Sequence, residues 1–63
     1  MPESEILKTE KYWLETILTE AESKLSDWER GFLDSVSLRL SYNRECSPTQ
    51  HDILERIYAE KTK

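Results

Sequence analysis

The sequence predicts an all-α fold, a small three-helix domain, and three observations predict it. Two helix-start signatures, Ser26-Asp27-Trp28-Glu29 and Ser47-Pro48-Thr49-Gln50, each precede an apolar pattern. Apolar side chains recur at three-, four- and seven-residue spacing, the period of an amphipathic helix. The 63 residues include one glycine and two prolines, and no stretch alternates in the manner of a half-buried strand.

The first helix is expected over about residues 4–25. Ile6, Leu7, Trp13, Leu14, Ile17, Leu18, Ala21 and Leu25 form one broad apolar stripe. At 1.5 Å per residue it would be roughly 30 Å long, against roughly 25 Å and roughly 20 Å for the next two helices. Its first turns are therefore expected to overhang, leaving Ile6 and Leu7 either frayed or covered by another chain.

The second helix is expected over about 27–43. In its start signature Ser26 can accept from the third helical N–H while Glu29 reaches back to the serine's own N–H, which satisfies two otherwise orphaned donors. Trp28, Phe32, Val36 and Leu40 are assigned to the core, with Leu33 at the margin. A second stripe, Gly31, Ser35, Leu38 and Tyr42, lies on another side of the same helix. A helix with two such faces is expected to be contacted on two sides. Either it is the middle member of the unit, flanked by helices 1 and 3, or its second face docks another chain, with the small residues permitting close approach.

The third helix is expected over 48–61. Ser47 caps it, Pro48 sits at the first position where a missing N–H costs nothing, and Ile53, Leu54, Ile57 and Tyr58 form its apolar face. Residues 1–63 thus make a single helical domain. Pattern alone allows two arrangements, a closed antiparallel bundle or an open helical unit completed by dimerisation.

Composition narrows the function classes. Thirteen acidic and nine basic side chains give a formal charge of −4, the reverse of the basic footprint of a self-sufficient nucleic-acid binder. The arginines are dispersed among acidic residues, so the helix-turn-helix reading, with Thr49, Gln50, His51 and Arg56 offered to a groove, is the weaker alternative. No apolar run approaches the ~20 residues of a membrane span, and the single Cys46 cannot form an internal disulfide. A cytoplasmic protein with no membrane contact is expected.

No constellation carries catalysis or a metal. Cys46 and His51, near Glu45 and Glu55, supply one Cys and one His where a structural zinc site normally takes four such ligands. His51 is expected to pair with Glu55 one turn on, and Cys46 to be a small loop residue whose thiol, if exposed, could cross-link two copies. Ser35, Ser37 and Ser41 have no evident base, and three short helices enclose little volume for a substrate. The expectation is a non-enzymatic chain without cofactor or metal.

Across helices 2 and 3, Leu25-Ser26-Asp27-Trp28-Glu29 with Phe32-Leu33 and Ser35, then Ser47-Pro48-Thr49-Gln50 with Leu54 and Ile57, resembles a short helical accessory module of bacterial and phage DNA-metabolism proteins. The module is found beside helicase-, primase- or nuclease-like domains. The likeness covers roughly residues 25–58, about half the chain. Cys46 departs from the pattern, which has Leu before the capping serine, and no catalytic domain is expected within these 63 residues. The resemblance implies association with DNA-processing machinery and gives Trp28, Glu29, Phe32 and Gln50 no catalytic role.

Together these readings predict a small protein–protein interaction module, an accessory or inhibitory factor in bacterial or phage DNA metabolism. The alternatives are a weak helix-turn-helix-like nucleic-acid binder and an acidic phage inhibitor that blocks a nucleic-acid-binding protein. The expected partner is a protein, with a nucleic-acid-processing enzyme or a second copy of the chain (a homodimer) as candidates. The residues expected to contact it are Leu38, Tyr42, Gly31 and Ser35 on helix 2 and Tyr12 on the polar side of helix 1.

Overall fold

The computed structural model describes residues 4–62. Three α-helices follow in order: α1 (Glu5–Glu20), α2 (Asp27–Ser41) and α3 (Pro48–Lys61). Among the described residues there is no strand.

Every helix begins on a serine. Ser4 accepts from the Leu7 N–H at 3.0 Å. Ser26 and Ser47 form complete capping boxes, in which Glu29 accepts the Ser26 N–H at 2.8 Å and Gln50 accepts the Ser47 N–H at 3.0 Å. Pro48 occupies the first turn of α3.

The unbroken helix that the apolar spacing predicts over 4–25 is divided. α1 ends at Glu20, and Glu22–Lys24 form a single 3-10 turn before Leu25 becomes extended. A continuous helix could not reverse into α2 at Ser26. The tighter turn makes that reversal while keeping both Ala21 and Leu25 buried. α2 likewise ends at Ser41, not 43. Asn43 adopts a left-handed conformation (φ 58°), its N–H bonding to the Leu40 carbonyl and that of Arg44 to the Arg39 carbonyl. These two bonds are the Schellman closure, and asparagine tolerates the conformation better than most side chains.

The central helix is α1, not α2. It packs along α3 and, less extensively, against α2. Leu7, Leu14, Ile17, Leu25, Leu33, Val36, Leu40, Leu54 and Ile57 form one hydrophobic cluster, flanked by half-buried Trp13, Phe32, Ile53 and Tyr58. The start of α2 and the end of α3 meet through Glu29 and Lys61 at 3.7 Å, so α2 and α3 run antiparallel. The radius of gyration is 10.9 Å, close to the ~11 Å expected of a closed domain of this length. Of the two arrangements the sequence allows, the structure is therefore the compact one.

Two expectations about α1 change accordingly. Leu7 is buried and does not overhang, because the α2–α3 connection reaches across the helix start: Ser4 Oγ donates to Glu45, and Lys11 Nζ donates to Asn43 Oδ1 at 2.8 Å. Ile6 alone of the pair is exposed. Ile17 is fully buried inside the monomer, so a charge placed there would report on folding before it reported on any dimer.

Candidate functional site

α2 presents its face by angle. At about 100° per residue, Glu29, Leu33, Val36 and Leu40 share one side, and this side enters the core. The opposite side carries Trp28, Gly31, Ser35, Leu38 and Tyr42, all exposed. Trp28 is thus corrected from core to surface: it is 63% exposed and its ring stacks on Phe32 at 5.5 Å, with 9° between the planes. Leu33 moves the other way, from the margin to full burial.

The middle place expected for helix 2, flanked by helices 1 and 3, is also corrected. With α1 in the middle, α2 is covered on one side, and Leu38 and Tyr42 remain 61% and 69% exposed. A Cβ added at Gly31 would meet nothing within 4 Å, so the domain itself does not use that glycine for close packing. Ser35 Oγ donates to the Gly31 carbonyl at 3.3 Å.

Where α2 meets the connection and the start of α3, Ser35, Leu38, Arg39, Tyr42, Arg44 and Gln50 line an open groove of about 560 Å³. Arg39 is held across the connection by its Nε, which donates to the Glu45 carbonyl at 2.6 Å. Neither Arg39 nor Arg44 has a carboxylate partner among the described residues. Four of the five residues predicted to contact a partner therefore lie on one face. Tyr12 does not join them: it sits on the α1–α3 flank, ring to ring with Tyr58 at 6.0 Å, where its hydroxyl raises the Tyr58 pKa above the ordinary 10.0.

A second cluster surrounds Glu10, the one buried charged residue among the described residues. Its Oε2 lies 2.6 Å from His51 Nδ1 and its Oε1 accepts the Cys46 N–H at 2.9 Å. His51 therefore pairs with Glu10 and not with Glu55. The Trp13 ring covers the imidazole at 5.2 Å between centroids. The trio Cys46, His51 and Glu10 contains a thiol, an imidazole and a carboxylate, but its electrostatics hold the proton on sulfur. Burial first and the Glu10 charge second push the Cys46 thiol up to about 11, opposite to the direction of an activated nucleophile. The thiol is half-buried, so cross-linking through an exposed sulfur, as considered from the sequence, is disfavoured. The cluster acts as a latch that joins α1, the connection and α3.

No helix among the described residues is long and apolar enough to cross a membrane. Fold and surface together define a small all-α three-helix domain with one helix face left uncovered. No protein-family model, curated protein sequence or solved structure matches the chain.

Proposed function

We propose that this chain is a non-enzymatic protein–protein interaction module of the cytoplasm, an accessory or inhibitory factor in bacterial or phage DNA metabolism that acts by occupying a partner's surface. The observation that carries this reading is the exposed row of Trp28, Gly31, Ser35, Leu38 and Tyr42, which sets three large hydrophobic side chains and two small residues along a face of α2 that no other helix covers among the described residues. Aromatic side chains at such positions are frequent interface anchors. The link to DNA metabolism rests on the Trp-Glu, Phe-Leu and Ser-x-x-Gln pattern of residues 25–58.

The test is capture of partners on the tagged domain from nuclease-treated bacterial lysate, read by mass spectrometry, with Leu38→Asp as the matched control. A DNA-processing protein retained by the wild type and lost by the variant supports the reading. The same proteins on both baits, or retention that vanishes on nuclease treatment, overturns it.

A further inference from the structure

We propose that the groove at the C-terminal end of α2 receives an acidic amphipathic helix of a protein partner, with an apolar side chain seated between Leu38 and Tyr42 and carboxylates on Arg39 and Arg44. This rests on the docking function proposed above and assigns that partner its chemistry.

Charge supplies the first reason. The chain carries a formal charge of −4, yet both charged side chains lining the groove are arginines. The acidic residue on the other side of α2, Asp34, faces a separate depression with Leu18, Glu22, Leu25 and Arg30. The groove is thus a local inversion of the protein's overall sign, and such an inversion selects an acidic partner. The bond from Arg39 Nε to the Glu45 carbonyl leaves the two terminal amino groups available in a fixed orientation. A guanidinium held this way loses less freedom when it grips a carboxylate.

Shape supplies the second. Trp28, Gly31, Ser35, Leu38 and Tyr42 follow one another at intervals of three, four, three and four residues. That is the seam one helix offers another, and the small Gly31 and Ser35 let the partner's backbone come close. An isologous pair whose two-fold axis runs through the groove would set Arg39 and Arg44 of one copy against those of the other, like charge against like. A nucleic acid would find two cations and an apolar strip where it needs many phosphate contacts.

The test is titration of the isotope-labelled full chain, followed by amide NMR, with a helical peptide of leucine, alanine and glutamate carrying one apolar face. The same peptide with lysine for glutamate and a short DNA duplex are the comparisons. The acidic peptide is expected to shift Ser35, Leu38, Arg39, Tyr42 and Arg44, and to weaken about tenfold between about 0.05 M and about 0.5 M NaCl. Arg44→Glu, which removes no hydrogen bond of the fold, is expected to weaken it about tenfold, and Arg39→Glu/Arg44→Glu further. Equal binding of the lysine peptide at this face overturns the acidic partner while leaving a docking face in place. Absence of shifts at Leu38 and Tyr42 with either peptide overturns both. Shifts at these residues from the duplex, or from dimerisation of the chain alone, overturn the acidic helix in favour of nucleic acid or a second copy.

Discussion

Glu10 and His51, 41 positions apart in the chain, meet with 2.6 Å between Oε2 and Nδ1. An ionised carboxylate accepts from the imidazole nitrogen that faces it, and the second carboxyl oxygen takes the Cys46 N–H at 2.9 Å. One buried side chain thereby closes the contacts of three segments, and its removal leaves a donor on each of the other two unpaired. Glu10→Ala is expected to cost about 2–4 kcal/mol, because it strands the Cys46 N–H and the facing imidazole nitrogen at about 1–3 kcal/mol for each buried group left unpaired. That is a large share of the stability of so small a domain. Glu10→Gln, which keeps an acceptor oxygen, should cost about 1–3 kcal/mol. Urea unfolding of both variants checks the order, and a cycle with His51→Ala should show at least ~1 kcal/mol of coupling. Simple additivity of the two single substitutions would remove the latch from the account.

The two capping boxes differ in one respect that acid exposes. Glu29 is held below its ordinary 4.5 chiefly by the Ser26 N–H, with the Lys61 charge assisting against partial desolvation. A pKa lower in the folded state means that the stabilisation is fully present above about pH 4.5 and is lost as pH falls through the depressed folded value. Gln50, which makes the equivalent bond to Ser47, does not titrate. On acidification the Ser26 amide resonance should therefore move with the Glu29 carboxyl while the Ser47 amide does not follow it. Hydrogen exchange should accelerate at the start of α2 before the start of α3. Equal responses at both helix starts would show that the Glu29 bond is not the acid-sensitive element.

How much of this was legible from sequence depends on whether a feature is local. Both boxes and both ends of α3 can be read directly, because a serine with Glu or Gln three residues on encodes its own hydrogen bonds. Asn43 is also a local signal, a residue that tolerates the left-handed region at the end of an apolar pattern, and it marks the stop that periodicity alone places too late. Leu7, Glu10, Leu14 and Ile17 share one register, so the burial of Glu10 is written in the spacing, but its partner is not. His51 reaches it only because α3 packs along α1. Trp28 misleads through its size: hydrophobicity assigns it to the core, whereas its angle groups it with Gly31, Ser35, Leu38 and Tyr42. Which face of α2 stays open is a tertiary fact, fixed by α1 taking the middle place.

Cys46 should react slowly with thiol reagents. With its thiol pushed to about 11 from an ordinary 9.0, the thiolate fraction near neutral pH falls about 100-fold relative to an unperturbed cysteine. Because the folded value lies above the unfolded one, the associated stability is present below pH 9 and is lost as pH rises from 9.0 toward 11. Labelling by iodoacetamide at about pH 8 should therefore be much slower in the native chain than in urea, and Glu10→Gln should accelerate native labelling by removing a negative charge beside the sulfur. Native labelling as fast as that of the unfolded chain would mean the sulfur is neither desolvated nor under the Glu10 charge.

Gly31 separates what the fold requires from what the face is for. It has no positive φ, and a Cβ there meets nothing, so nothing within the domain calls for glycine in the middle of α2. Gly31→Ala should raise stability by about 0.5–1 kcal/mol, the helix-interior difference between the two residues. Gly31→Leu should leave the fold intact as well, since its side chain would project into open space. If the face receives another helix, the leucine should obstruct that approach while the alanine is tolerated. Leu38→Asp should abolish docking with stability changed by no more than about 0.5 kcal/mol, as for other exposed positions, whereas Leu33→Ala, on the buried side of the same helix, should cost about 2–5 kcal/mol. Thermal melts and a binding titration on the four variants read both quantities together. Loss of partner binding in Gly31→Leu and Leu38→Asp, with melting temperatures at or above the wild type for the glycine variants, is the expected pattern. Binding unchanged in Gly31→Leu would place the partner off this seam, because a leucine at this small position cannot be accommodated beneath a closely packed helix.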